Sequence, residues 1–192
     1  AVAASLQAVT LFTVAEDLQK LLLQVNIDEA DVGRVKIGQQ ASFTVSAFAA
    51  RRFPAKIIGI KDASGNIARV TMHRRACGEQ FCQLSGNDET ALAFNVTGGA
   101  GCISVTANVA PKLCAEFQAA CAAHDWDKAR EINDRLFPLH IALFTDASPG
   151  PVKYALARVM ADVTDELRLP MTPPSEASRK AVDDALEIAG LI

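Results

Sequence analysis

Lys61 closes a short apolar run, "KIIGIK" (56–61), and a lysine in that position has two roles open to it. A charged residue after such a run commonly marks a strand's exit into water. At the carboxyl end of a strand in a parallel barrel, where active sites of that architecture sit, it is instead a candidate nucleophile. Apolar neighbours such as Ile58 and Ile60 disfavour an ammonium, and the neutral amine can attack a carbonyl to form a Schiff base. Spacing alone leaves both roles open.

The other chemistry-bearing residues point to structure. Asp62 and Asp88 could form a carboxylate pair, but each follows a strand and opens a helix, where an acid favours the helix dipole. Capping is the expected role. Cys77 and Cys82 with His73 offer loose C-x4-C spacing and no second pair, so core packing is expected and no metal site. His73, His124 and His140 fall in helical stretches with no nucleophile at useful spacing, and read as surface or packing residues. "GGAG" (98–101) is neither a phosphate loop nor a dinucleotide fingerprint.

The elements that must position these residues come in two styles. Over residues 1–57, "TLFTVA" (10–15), "KLLLQVNI" (20–27) and "QASFTVSAF" (40–48) read as short antiparallel strands, the third alternating cleanly with Phe43, Val45 and Ala47 on one side. Between the second and third, "IDEADVGRVKIGQQ" carries acids that open a helical turn and then Gly33 and Gly38 that end it. From Ile57 the rhythm changes. "KIIGIK" (56–61), "FCQLSG" (81–86) and "GCISVTA" (101–107) are apolar runs with little alternation, as in strands covered on both faces. Helix-length stretches follow at about 65–77, 88–98 and 109–123, which implies right-handed βαβ units. Beyond Ala107 the pattern is helical. Residues 125–144 place Ala129, Ile132, Leu136, Leu139 and Leu143 at helical spacing, with a bend expected at Pro138. The last segment has proline near its first turn and Gly190 past its end.

Composition sets outer bounds. The chain has 192 residues, enough for one medium domain or a small domain joined to part of another. A formal net charge of −3 with one Trp and one Tyr gives neither a basic field nor a stacking platform, so no nucleic-acid partner is expected. No apolar run reaches the ~20 residues that span a bilayer. The chain opens on Ala1 with no charged n-region before an apolar stretch, so no signal peptide is expected in it. All five cysteines lie after residue 76, an odd number spread over apolar segments, which predicts reduced core thiols.

Several longer runs carry a resemblance. "IIGIKDASGN", "QLSGNDETAL", "GGAGCISVTANVAPKL", "EINDRLFPLH", "PVKYAL" and "LRLPMTP" make residues 57–192 similar to the back half of the dihydrodipicolinate synthase family, Schiff-base lyases related to N-acetylneuraminate lyase. The resemblance implies an α/β fold, a partial TIM barrel holding the last three βα units and C-terminal helices. It implies a lyase that condenses pyruvate with an aldehyde without a cofactor. Lys61 would form the imine with pyruvate, Gly86 of "LSG" would line the substrate pocket, and the backbone carbonyl of Ile103 would lie beside the lysine. The family's pyruvate-holding threonines, proton-shuttling tyrosine and second-substrate arginine belong to a front half this chain does not show. Tyr154 falls in the "PVKYAL" helix, where the family packs an aromatic, and is not that shuttle. General acid–base work supplies ~10²–10⁴-fold, so turnover by this chain alone is expected to be impaired or absent.

Residues 2–57 resemble a different family, the periplasmic adaptor or membrane fusion proteins, through "LFTVAEDL" and "DEADVG" followed by "GQ". The expected division is therefore 1–56, a small antiparallel β segment, and 57–192, the partial barrel. A recombined gene, an assembly artefact and a chimera would all read this way. Three functions stay open: a cytoplasmic lyase; a periplasmic adaptor fragment touching an inner-membrane transporter; and a composite without function. Self-association is expected, through open sheet edges or the C-terminal helices.

Overall fold

The short-strand, long-helix alternation expected after Ile57 is the architecture of the computed structural model, which describes residues 34–45 and 50–192. The chain divides into two compact units, Ala1–Arg34 and Val35–Ile192, and the elements below belong to the second. The expected strands at 10–15 and 20–27 lie outside the described residues.

β1 (Gln40–Phe43) pairs antiparallel with β2 (Phe53–Lys56), Phe43 opposite Phe53. Their rings stack with centroids 5.5 Å apart, and the Arg51 guanidinium lies 4.8 Å above the Phe53 ring. Three of four β1 residues are exposed and the fourth half-buried, so no buried face backs the alternation there.

The second sheet is parallel, in the order β3 (Gly59–Asp62), β4 (Cys82–Ser85), β5 (Gly101–Cys102). Helix α1 (Ala68–Cys77) links the first two strands and α2 (Ala91–Val96) the last two. In register, Lys61 stands beside Leu84, Asp62 beside Ser85, and Ser85 beside Cys102. The third strand is far shorter than the expected 101–107. Its chain leaves the ladder because the Asp88 carboxylate accepts hydrogen bonds from the N–H groups of Val105 (2.8 Å) and Thr106 (3.0 Å). A 3₁₀ turn, Thr106–Asn108, follows instead.

Most of the core is helical. α3 (Pro111–Ala122), α4 (Trp126–Ala142), α5 (Gly150–Val159) and α6 (Glu176–Ala189) pack Phe117, Ile132, Val152, Val182 and Leu186 into one cluster. All five residues expected on the inner face of 125–144 are buried there. α4 runs through Pro138 without a break. Ser175 caps α6 by accepting from the Ser178 N–H, and Gly190 closes it at φ 71°, a left-handed turn glycine adopts readily. Tyr154 donates to Asp183 (2.9 Å), joining α5 to α6, which is the packing role expected of it. No helix among the described residues is long and apolar enough to cross a membrane.

Because this cluster holds the unit together, Leu139→Ala, at a fully buried site, is expected to cost roughly 2–5 kcal/mol. Thermal or urea unfolding measures it, and a change below about 1 kcal/mol would contradict the placement of the core.

Candidate functional site around Lys61

Alternation along β3 sends Lys61 and Asp62 to opposite faces of the sheet. Asp62 is buried at 7% exposure, under α1, while Lys61 is exposed. The same split runs through β4, where Gln83 and Ser85 are buried, Cys82 is exposed and Leu84 half-buried. One face of the sheet therefore meets helices, and the Lys61 face lies open among the described residues. This corrects the expectation for the lysine's surroundings. Ile60 sits on the other face of the strand, and Ile58, at 56% exposure, precedes it, so neither encloses the amine.

The three expected site residues occupy neighbouring strand tips. Gly86 donates its N–H to the Asp62 carbonyl (2.7 Å), and a Cβ at Gly86 would stand 2.8 Å from Lys61 Cε and 2.6 Å from Ala63 Cβ. The lysine stem thus occupies space that only glycine leaves free. Ile103 donates its N–H to the Ser85 carbonyl (2.8 Å) and is 42% exposed. It stands one strand further on, level with Gly86. The structure brings Lys61 and Gly86 into contact and sets Ile103 on the far side of β4.

The two aspartates do not cap their helices through their side chains. Asp62 accepts from the Ser64 N–H (2.9 Å) and from Arg69 Nε (2.7 Å), which ties the turn after β3 to α1. Burial alone would raise its pKa; the Ser64 and Arg69 hydrogen bonds outweigh that and hold the carboxyl below its ordinary value. Asp88 clamps the chain leaving β5, a role that nothing local in the sequence signals because its partners lie far along the chain.

Behind the sheet, Asp88, Cys102, Ser104, Cys114, Gln118 and His140 line a cavity of about 240 Å³, which does not include Lys61. Burial, with the Asp88 charge adding to it, pushes Cys102 up to about 12 and Cys114 up to about 11, so both stay protonated near neutral pH. They are poor nucleophiles. The five cysteines are unpaired, as expected, but Cys82 is exposed rather than packed in the core. No group of three or more His, Cys, Asp and Glu among the described residues is placed to hold a metal. His73 and His140 are buried packing residues, the latter 2.8 Å from the Thr106 hydroxyl. His124 sits past α3 with its ring edge-on to Trp126.

The model of the dihydrodipicolinate synthetase family matches residues 41–189. The chain belongs to that family. The match takes in β2 and all of β1 but its first residue, as well as the stretch from Ile57 to residue 189. The 4-hydroxy-tetrahydrodipicolinate synthase of Novosphingobium aromaticivorans is 68% identical over 143 residues, 74% of this chain and 48% of the relative. That of Zymomonas mobilis is 62% identical over 141 residues, 73% and 48% of the two chains. Among solved structures, dihydrodipicolinate synthase from Aquifex aeolicus aligns at TM-score 0.66 and 32% identity, over 70% of this chain and 46% of that one. The chloride-inhibited enzyme from Acinetobacter baumannii, solved with pyruvate, aligns at TM-score 0.66 and 40% identity, over 71% and 46%. The chain spans about half the length of the curated relatives it matches.

Burial depresses both His73 and His140 below the ordinary 6.5; the Arg69 charge adds to the effect at His73, while Asp88 and Glu89 oppose it at His140. The unfolded chain then binds protons that the folded family member refuses. Stability is full above about pH 6.5 and declines as pH falls below it. Melting temperature is expected to hold between pH 8 and 7, drop towards pH 5, and drop less steeply in His140→Gln. A melting temperature that rises on acidification over that range would contradict the burial of these rings.

Proposed function

We propose that this chain carries the back half of a Schiff-base lyase barrel, with Lys61 as the nucleophile and pyruvate as the carbonyl it takes. The observation that carries the proposal is the pairing of Lys61 with Gly86. A lysine at the carboxyl tip of a parallel strand, its stem lying where a side chain at the next strand's end would be, fits the sites of such barrels. Family membership and the pyruvate-bound Acinetobacter structure support the choice of carbonyl. In this reading the strands β3, β4 and β5 are the last three of the barrel, and Ile103 contributes its backbone at the rim.

The Lys61 amine adds to the keto carbon of pyruvate, and loss of water from the carbinolamine leaves an imine. Removal of a methyl proton gives the enamine, which attacks an aldehyde, and hydrolysis frees the product and the lysine. Proton removal and aldehyde placement need groups from the front of the barrel. Imine formation is therefore expected of this chain alone, and sustained turnover is not. The free cysteines support a reducing, cytoplasmic setting. The adaptor-like reading of residues 2–57 gains nothing from the fold, and much of that stretch lies outside the described residues.

Incubation with pyruvate and borohydride, read by intact mass and peptide mapping, is expected to label Lys61 in the folded chain and to leave Lys61→Ala unlabelled. A folded sample without adduct would reduce the lyase reading to ancestry. Gly86→Ala, whose methyl would press on both Ala63 and the lysine stem, is expected to shift the strand tip locally and to trap pyruvate roughly 10- to 100-fold more slowly. Unchanged trapping in that variant would detach Gly86 from the site.

A further inference from the structure

We propose that Asp62 is the positioning residue for Lys61, holding the tip of β3 in place through two alternative partners, Arg69 and His73, whose shares change with pH. The inference rests on the lyase reading above and adds what aims and regulates the amine. Asp62 touches no substrate and acts only through its neighbour.

Lys61 is the last residue but one of a four-residue strand. A strand end with so few ladder bonds opens easily, and an amine carried on it would be poorly aimed. Asp62 secures that end from three sides. Its carbonyl accepts the Gly86 N–H (2.7 Å), its Oδ1 accepts the Ser64 N–H (2.9 Å), and its Oδ2 accepts Arg69 Nε (2.7 Å). The first bond comes from the glycine whose missing side chain leaves room for the Lys61 stem. The third ties the residue after Lys61 to the second residue of α1. The Arg69 and Asp62 side chains are 15% and 5% exposed, so removing either partner leaves a charge in a largely dry site.

His73 supplies the second partner. It lies one turn beyond Arg69, on the same side of α1. Its Nδ1 is buried without a hydrogen-bond partner among the described residues, 3.9 Å from the Asp62 Oδ2 that Arg69 holds. The charged groups facing it are Arg69 on its own helix and Asp62 on β3. From β4 comes neutral Gln83, whose Nε2 donates to the Val70 carbonyl (3.1 Å). A neutral imidazole leaves Asp62 to Arg69. An imidazolium draws the carboxylate towards Nδ1, and the turn that follows Lys61 moves with it.

Two readouts test this on the full chain, the first without pyruvate. Lysine carrying ¹³C at Cε is incorporated, and the Lys61 signal is assigned by its loss in Lys61→Arg. That signal is expected to shift between about pH 7 and 5 in the wild type and to stay still in His73→Gln. A wild-type signal unmoved over that range, or the same shift in His73→Gln, would overturn the inference. The second readout is the rate of borohydride trapping against pyruvate concentration. Asp62→Asn and Arg69→Ala are expected to lower the limiting rate roughly tenfold, with half-saturating pyruvate little changed, because the amine is misaimed. Leu139→Ala, which weakens the helical core away from the strand tip, should trap at the wild-type rate. A loss in Leu139→Ala as large as in Asp62→Asn would reduce Asp62 to a stability residue and overturn the inference. A pH-dependent Lys61 signal without trapping in the wild type contradicts the lyase reading alone. Trapping that Asp62→Asn leaves intact contradicts the positioning alone.

Discussion

A parallel sheet buries its backbone and side chains between two layers, and the described residues of this chain provide one of them. That one-sidedness governs the molecule. It sends Asp62, Gln83 and Ser85 under the helices, where they are buried and, for Asp62 and Ser85, hydrogen-bonded to nearby turns. It leaves Lys61, Cys82 and Ile103 on the side where no helix of the described residues packs. The Lys61 side chain is exposed on that side.

Stability comes from elsewhere than the site. The buried cluster of α3–α6 includes no residue of β3 or β4, so the helices can stay folded while the sheet opens locally. The link between the two regions is short. Asp88, just past β4, holds the N–H groups of Val105 and Thr106, and Thr106 in turn meets His140 of α4. The same contacts cut β5 to two residues, trading ladder bonds for a fixed connection to the helical core. Glycine at position 86 shapes the site in a second way, by giving the Lys61 stem room that any side chain would take.

Periodicity made the helices legible. Ala129, Ile132, Leu136, Leu139 and Leu143 were readable as an inner face because 3.6-residue spacing survives wherever a helix has one buried side. Strand positions were legible as apolar runs, but which face of each would be covered was not. A run such as "KIIGIK" looks the same whether one side or both are packed, so Ile58 and Ile60 suggested an enclosure around Lys61 that the alternation of the strand denies. The role of Asp88 is hidden for a related reason. Position after a strand signals a helix start, whereas its actual partners are backbone groups brought near only by the fold. Lys61 and Gly86 were found through family resemblance, and their contact is a property of register that neither motif contains. Residues ahead of Arg34 carry readings that the described residues do not reach.

Among the described residues the parallel sheet is anchored from one side and open on the other. Native-state hydrogen exchange on the isolated chain, resolved to single amides, tests that most directly. Amides of α3, α4 and α6 should exchange slowest, through global unfolding, and those of β3 and β5 markedly faster, through local opening that spares the helices. Sheet amides as protected as those of α4 would show a face already covered and would contradict the account.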